Sequence, residues 1–207
     1  MSGVPFWRLG EPPGPLADCL DRGGVLAVPT ESSYALGADP FNREGVANVY
    51  RVKGRPGEKP LPVVAANRRQ LAALGCDLSH PALAALAAVW PAPLSLLVPT
   101  SKPVAATAGE PRLAVRIPDH EGLRALLETL GRPLTATSAN RAGRPALCTP
   151  QAAAALLAGY DAIVVDAGAL PGGPPSTMIA VEQGGVRVLR PGRFPAAEIE
   201  RLLATVG

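Results

Sequence analysis

The chain has few of the residues on which several common kinds of site depend. Aromatic residues make up 4% of its 207 residues, so it has little with which to stack the bases of single-stranded nucleic acid. Its only histidines are His80 and His120, and its three cysteines, Cys19, Cys76 and Cys148, are far apart and form no CxxC pair. This spacing argues against a structural zinc site and a disulfide framework, and it predicts no metal ligands and three inert thiols.

Long hydrophobic runs and the standard nucleotide-binding motifs are also missing. No apolar run approaches the roughly 18 residues of a membrane span, and the N-terminus has no signal-peptide core, so we expect a cytoplasmic protein. Neither a GxxxxGK[ST] loop nor a GxGxxG motif after a strand occurs, which disfavours a P-loop or dinucleotide fold, and GxSxG and HExxH are absent too. A nucleotide site in this chain would have to use isolated cations and polar groups at strand ends.

The chain does have enough apolar sequence for one large core. Hydrophobic residues make up 47% of the composition, and no linker or internal repeat interrupts it. We therefore expect a single domain over residues 1–207, with an irregular lead-in at 1–15 and the core from about residue 16. The net charge of +3 is compatible with an anionic ligand, although ordinary surface charge would give the same value.

Apolar runs typical of strands alternate with helical patterns along the chain. Predicted strands lie at residues 25–28, 61–65, 94–98, 113–117, 134–137, 162–165, 177–181 and 186–189, the last two joined as a hairpin. Predicted helices lie at residues 42–53, 67–74, 81–90, 123–130, 149–158 and 195–206, with N-caps at Asn42, Asn67 and Thr149. The alternation predicts an α/β domain with a mixed sheet and flanking helices, without fixing its topology.

Two short polar islands about 85 residues apart stand out from these elements. Lys53-Gly54-Arg55 follows a predicted helix, and Ser138-Ala139-Asn140 follows a predicted strand. Two cations with a hydroxyl and an amide suit a polyanion such as a nucleotide triphosphate, because Arg offers a planar fork and Lys a point charge. Taken alone, the first island could equally complement a helix C-terminus, and the second could be an ordinary turn or helix cap.

Further polar residues stand at or near strand ends. Thr30, Glu31 and Tyr34 follow the first predicted strand, where they could contact a small polar ligand or form a plain turn. Arg116 lies among apolar neighbours in a predicted strand, and a cation there needs an anionic partner or an exposed sheet face.

Three more candidates are unremarkable when each is considered singly. Ser176 follows a Gly/Pro loop, and Arg190 ends the last predicted strand. His120, beside Asp119, favours a surface or capping role over a catalytic one. Only the joint occurrence of these residues with the two islands is specific.

The joint pattern resembles the threonylcarbamoyl-AMP synthase family of the YrdC/TsaC type, in its short single-domain form. The resemblance runs from about residue 23 to residue 192, and its segments appear in family order: GGVLAVPTESSYALGAD (23–39), KGRPGEKPL (53–61), WPAPLSLLVP (90–99), LAVRIPDH (113–120), TSANRAG (137–143), PST (175–177) and LRPG (189–192). The KxR…SxN combination, together with the PTE and RPG boxes, is its specific part.

The resemblance implies a twisted α/β fold around a large, concave, positively charged cavity. It implies a nucleotidyltransferase that makes L-threonylcarbamoyl adenylate and pyrophosphate from L-threonine, bicarbonate or CO2, and ATP, with Mg2+ carried by the phosphates. The product would serve N6-threonylcarbamoyladenosine formation at position 37 of tRNA, which a separate transferase complex completes. Binding of tRNA or double-stranded RNA by this chain would be weak.

The resemblance also distributes the candidate residues over two substrates. It implies that the nucleotide and its phosphates are bound by Lys53, Arg55, Ser138, Asn140 and Arg190, the first four of which would be catalytic. It implies that threonine is bound by Thr30, Tyr34, Arg116, Ala136 and Ser176, with Arg116 as the partner of the substrate carboxylate. One departure concerns Val64, which stands where longer members have a histidine, and it leaves that threonine contact open.

Two other functions remain compatible with the sequence. A non-catalytic double-stranded RNA- or ribosome-binding module could use the same basic concavity, but some relatives of this fold lack the KxR…SxN set, and its presence here favours the enzyme. A nucleotide-dependent carbamoyl-transfer enzyme could act on another substrate, but such relatives are larger and carry acylphosphatase and zinc-finger regions. The synthase is therefore the function that the sequence predicts.

Overall fold

The computed structural model describes residues 3–54, 59–182 and 185–204, and within these ranges the chain folds as an α/β protein, as predicted. The strands are β1 (Phe6–Arg8), β2 (Val25–Pro29), β3 (Tyr34–Gly37), β4 (Val63–Val64), β5 (Leu94–Pro99), β6 (Arg112–Arg116), β7 (Leu134–Thr135), β8 (Thr137–Ser138), β9 (Ala162–Asp166), β10 (Thr177–Glu182) and β11 (Gly185–Arg190). The helices are α1 (Gly14–Asp21), α2 (Arg43–Lys53), α3 (Arg68–Ala73), α4 (Pro81–Ala87), α5 (Glu121–Leu130), α6 (Pro150–Leu157) and α7 (Ala196–Leu203), with a 3₁₀ turn at Ala105–Thr107.

The strands form two mixed sheets rather than one. The five-stranded sheet has the order β1-β9-β2-β3-β8, and the six-stranded sheet has the order β11-β10-β5-β6-β4-β7. The predicted strand at 134–137 is divided between them, because β7 pairs with β4 and β8 pairs with β3. The chain thus passes from one sheet to the other at Ala136. The predicted hairpin is confirmed as the antiparallel pair β10 and β11, and its turn at 183–184 lies outside the described residues.

The prediction that residues 1–15 are irregular is wrong at Phe6–Arg8, which form strand β1. β1 pairs in parallel with β9, and its Trp7 is buried among apolar side chains, so three residues form an edge strand that is too short to show a pattern. β3 was not predicted as a strand either. All four of its residues are buried, so it lacks the alternation of polar and apolar positions that identifies a half-exposed strand.

Helices α2 and α6 begin at the predicted N-caps. The Asn42 side chain accepts hydrogen bonds from the N–H groups of Glu44 and Gly45, and Thr149 accepts one from Ala152, so both caps satisfy otherwise unpaired donors. Helix α4 ends at Ala87, three residues before the predicted end at residue 90. None of the described helices has the length and apolar character that a membrane span needs.

Alternate residues of β2 pack into two different cores. Val25 and Ala27 belong to the larger core, which takes apolar side chains from both sheets and from α2 and α6, whereas Leu26 and Val28 belong to a second core with α1 and α5. All five residues of β2 are buried, and this strand therefore fixes the position of the loop that follows it. The three cysteines are free, and burial raises the pKa of Cys19 to about 11 and that of Cys76 to about 12, as expected of inert thiols.

Candidate active site

A cavity of about 480 Å³ lies where the two sheets meet, and strands of both sheets line it. It brings together most of the residues that the sequence singled out, namely Thr30, Arg116, Ala136, Ser138, Asn140, Ser176 and Arg190. Its charged lining residues in the described ranges are all arginines, with no carboxylate among them. The cavity can therefore receive anionic groups without a fixed negative charge in its wall.

A nearly buried ion pair lies at one end of the cavity, where Arg116 belongs to the lining and Glu31 does not. Arg116 at the end of β6 donates through Nη1 to Oε1 of Glu31, and both side chains are only about a tenth exposed. The same Glu31 oxygen accepts a hydrogen bond of 2.7 Å from the Asp119 N–H. Arg116 therefore has the anionic partner that its apolar strand required, and the alternative of an exposed sheet face is wrong.

The pKa of Glu31 reflects two opposing effects. Burial by itself would raise it, but the charge of Arg116 and the hydrogen bonds from Arg116 and the Asp119 backbone hold it below its ordinary value of 4.5. Glu31 is thus ionised at neutral pH and keeps the Arg116 guanidinium oriented. Because the Glu31 contact uses Nη1, the rest of the five-donor fork can face the cavity.

A small hydroxyl network stands beside Arg116. The hydroxyls of Ser176 and of Ser95 in β5 are 2.9 Å apart, and Arg190 Nη2 donates to the Ser176 carbonyl over 2.8 Å and to its hydroxyl over 3.1 Å. Burial, and to a lesser extent the charge of Arg116, lower the pKa of Arg190 from its ordinary value. The two arginines therefore lie close enough together in the cavity lining for their charges to interact.

Thr30 shapes the loop between β2 and β3. Its hydroxyl donates to the Ser33 carbonyl over 2.7 Å, which closes a tight turn and buries the Thr30 side chain. Ser32 and Ser33 in this turn also line the cavity. The sequence allowed Thr30 either a role in a plain turn or a place at a ligand site, and in the structure it both closes the turn and lines the cavity.

Lys53, the last residue of α2, holds the Ser138–Asn140 turn from behind. Its Nζ lies 2.7 Å from the Ser138 carbonyl oxygen and 2.7 Å from Asn140 Oδ1, and the side chain is 5% exposed. The Ser138 hydroxyl in turn donates to Asn140 Oδ1 over 2.8 Å. Within the described part of the chain Lys53 does not line the cavity, whereas Ser138 and Asn140, the two residues that it contacts, do.

We expect Lys53→Met to lower the free energy of unfolding by about 2 kcal/mol, because it leaves the Ser138 carbonyl and the Asn140 amide oxygen without this donor. Methionine keeps most of the apolar stem, so the change isolates the ammonium. Urea unfolding of the variant measures the loss. Lys102→Met is the matched control, since the ammonium of the exposed Lys102 donates to the Ala73 carbonyl at the surface, and its loss should stay below about 0.5 kcal/mol. Equal losses in the two variants would show that the hydrogen bonds of Lys53 to Ser138 and Asn140 do not stabilise the fold.

Three other predicted residues lie elsewhere or cannot be described. Tyr34 is fully buried in the larger core and does not line the cavity, because its hydroxyl donates to the Gly168 carbonyl and accepts from the Ala167 N–H. Arg55 falls outside the described residues. His120 caps α5, since its Nδ1 accepts from the Leu123 N–H, and burial lowers its pKa. The capping role was the one favoured by the sequence.

Several cavity residues were missed by the sequence analysis. Ser95 is the polar exception in an otherwise apolar strand, and this contrast is the signal that could have found it. Arg144 lies in the irregular segment after the second island, where nothing in the local pattern marks it.

Val64 lines the cavity as an apolar wall at the position where the resemblance led us to look for a histidine.

Known proteins share this fold and much of this sequence. The Sua5/YciO/YrdC family model, described as telomere recombination, matches residues 18–192. Threonylcarbamoyl-AMP synthases from Pyrococcus abyssi and Bacillus subtilis are 33% and 35% identical over 192 and 194 residues, which is 92% of this chain and 56% of each relative. The chain therefore spans little more than half the length of these two. A threonylcarbamoyl-AMP synthase from Chromobacterium violaceum is 40% identical over 178 residues, 83% of this chain and 88% of the relative.

Solved structures agree with the sequence matches. Sua5 of P. abyssi in complex with L-threonine superposes with a TM-score of 0.85 at 31% identity, covering 99% of this chain and 62% of that one. Escherichia coli YciO superposes with a TM-score of 0.76 over 93% of this chain and 96% of that one, and at 23% identity it shows the shared fold alone. The family model, the curated relatives and the solved structures agree, and the chain belongs to the Sua5/YciO/YrdC family.

Proposed function

We propose that the protein makes L-threonylcarbamoyl adenylate and pyrophosphate from L-threonine, bicarbonate or CO2, and MgATP. The observation that carries this proposal is that one cavity combines an oriented arginine and serine hydroxyls with a separate Ser-x-Asn turn. The family supports it, because curated relatives are named threonylcarbamoyl-AMP synthases and one homologous structure holds L-threonine.

Threonine would occupy the end of the cavity around Arg116. The guanidinium, held by Glu31, would bind the substrate carboxylate, and the Ser176 hydroxyl would add a hydrogen bond. The Thr30 turn and the backbone at Ala136, where the chain crosses between the sheets, would complete this end. Tyr34 would act only indirectly, because its hydroxyl fixes the loop at Ala167 and Gly168.

The nucleotide would occupy the end formed by the second island. Ser138 and Asn140 would contact it directly, with Lys53 holding their turn and Arg190 adding positive charge. The resemblance assigns a further phosphate contact to Arg55, which lies outside the described residues. Mg2+ would enter with ATP, bound through phosphate oxygens and water.

The proposed reaction needs cations more than it needs a protein nucleophile. The threonine amine attacks CO2 and loses a proton, which gives a carbamate; with bicarbonate the other product is water. A carbamate oxygen then attacks the α-phosphate of ATP, the bond to the β-phosphate breaks, and pyrophosphate leaves. Two anions must meet in this step, so arginines fixed before the substrates arrive reduce their repulsion and stabilise the leaving group.

The product would be used in tRNA modification. We propose that it serves N6-threonylcarbamoyladenosine formation at position 37 in the cytoplasm, with a separate transferase complex for the second step. The alternative of a non-catalytic double-stranded RNA- or ribosome-binding module is not favoured, because the curated relatives are named as synthases.

The direct test incubates the protein with L-threonine, bicarbonate, ATP and magnesium, and measures threonine-dependent pyrophosphate together with the adenylate by mass. We expect Lys53→Ala/Arg55→Ala to lower adenylate formation more than about 100-fold, because the variant loses the ammonium that holds the Ser138–Asn140 turn and the proposed phosphate contact of Arg55, and each charged hydrogen bond contributes about 1.5–3 kcal/mol. Arg69→Ala removes one positive charge from the exposed face of α3 and should leave the rate unchanged. Absence of adenylate from the wild-type protein, with double-stranded RNA binding present, would replace the synthase with the binding module.

A further inference from the structure

Three arginines of the described ranges line the cavity, and they differ in the groups that they already bind. Arg116 is paired with Glu31, and Arg190 donates to the carbonyl and hydroxyl of Ser176. The guanidinium of Arg144 makes no hydrogen bond or ion pair with any residue in the described ranges, and the residue is exposed. Arg144 is thus the one cavity arginine, within this part of the chain, whose whole donor fork is available to a ligand.

The backbone of Arg144 is fixed to the second island although its side chain is unengaged. The Asn140 side-chain amide donates to the Arg144 carbonyl, and the Arg144 N–H donates to the Arg141 carbonyl over 3.0 Å. Gly143, with φ +77°, allows the tight turn between them. The hydrogen bond from Asn140 therefore fixes the position of the Arg144 backbone relative to the Ser138–Asn140 turn.

The charges in the cavity indicate what this guanidinium would bind. The charge of Arg116 is offset by Glu31, and Lys53 lies behind the turn rather than in the cavity wall. A triphosphate bound at Ser138 and Asn140 carries most of its negative charge on its β- and γ-phosphates, which need cations beside them. Arg144 is exposed at this turn and has a planar fork that matches phosphate oxygens.

We infer that Arg144 binds the β- and γ-phosphates of the nucleotide and stays with them as they leave as pyrophosphate. The inference rests on the proposed function, because it takes the Ser138–Asn140 turn to be the nucleotide end. It adds a phosphate-binding residue that the sequence motifs did not identify.

Binding measurements without turnover test the inference. Calorimetric titrations with MgATP, AMP and pyrophosphate, in the absence of threonine and bicarbonate, would compare the wild type with Arg144→Ala. We expect the Kd for MgATP and pyrophosphate to rise about tenfold and the Kd for AMP to stay unchanged, because AMP has no β-phosphate. Arg144→Lys should recover part of the loss, since it keeps the charge without the fork.

Two control results separate a specific contact from other effects. Arg69→Ala removes the same charge from α3, outside the cavity lining, and should change none of the three Kd values. Equal weakening of AMP and MgATP in Arg144→Ala would overturn the inference, as would unchanged Kd values for MgATP and pyrophosphate. If the Arg144 variant binds normally while the wild type makes adenylate, only the inference fails. If the wild type binds none of the three ligands, the proposed nucleotide end and the inference fail together.

Discussion

Arg116→Ala is expected to abolish measurable threonine binding and to destabilise the fold by about 3–5 kcal/mol. The first effect follows from the loss of the only oriented partner proposed for the substrate carboxylate. The second follows because Glu31 would be left as a largely buried carboxylate without its counter-charge. Threonine titration and urea unfolding measure the two effects separately.

The double variant Glu31→Gln/Arg116→Ala separates binding from stability. It removes the unpaired charge, so most of the lost stability should return, whereas threonine binding should not. Normal threonine binding by either variant would rule out Arg116 as the carboxylate partner. Failure of the double variant to regain stability would show that the loss comes from packing rather than from the isolated charge.

The same pair makes stability depend on pH in a defined range. Burial opposes ionisation of Glu31, but its interactions with Arg116 hold the folded-state pKa below the ordinary 4.5. Because a lowered pKa favours the ionised folded state, this contribution is complete above about pH 4.5 and is lost as the pH falls through the folded-state value. Glu31→Gln lacks the titration, so the difference in stability between the wild type and this variant should shrink below pH 4.5 and stay constant above it.

Gly192→Ala is expected to lower stability nearly as much as Arg116→Ala and to weaken threonine binding, but through steric clashes alone. A Cβ at this position would lie 2.2 Å from the Pro175 carbonyl oxygen and 2.5 Å from backbone atoms of Ser176 and Thr177. Backbone must therefore move, which should cost about 3 kcal/mol of stability and displace the Ser176 hydroxyl from the cavity. We expect the Kd for threonine to rise at least about tenfold in the folded variant, given about 1.4 kcal/mol for the lost contact.

Gly24→Ala is the matched control for this steric effect. Its Cβ would lie 2.4 Å from the Cys19 sulfur, 2.7 Å from the Cys19 carbonyl oxygen and 2.9 Å from the Asp161 carbonyl oxygen, away from the cavity lining. It should lose similar stability while the folded protein keeps its Kd for threonine. An unchanged threonine Kd in the Gly192 variant would mean that the chain at residues 175–177 does not contact the substrate.

The sequence predicted correctly the helix starts that depend on hydrogen bonds between nearby residues. Asn42 and Thr149 identified helix starts because their side chains satisfy nearby N–H groups. The strand at 134–137 was found, but its division between two sheets was not, since the change of partner at Ala136 depends on β3 and β4 far away in the chain. β1 was missed because three residues are too few to show a pattern, and β3 was missed because all four of its residues are buried.

The site shows the same division between local and distant information. The motifs placed Thr30, Arg116, Ser138, Asn140, Ser176 and Arg190 around one cavity, although their roles stay predictions. The sequence could not predict the direction of a side chain. Lys53 points toward the Ser138–Asn140 turn and Tyr34 toward the Gly168 loop, and both partners are far away in the chain. Ser95 was missed because it becomes a neighbour of Ser176 only after folding, and Arg144 was missed because nothing in its local pattern marks it.

The link between α2 and the second island limits which changes in helix length the chain tolerates. α2 runs for 11 residues from the Asn42 cap to Lys53, and its last side chain must point at Ser138 and Asn140. Each helical residue advances about 100° around the axis, so one inserted or deleted residue would turn the ammonium away from both partners. Substitutions at the exposed Arg43, Glu44 and Arg51 leave this alignment intact. Homologous chains should therefore vary in the composition of this helix and hardly ever in its length.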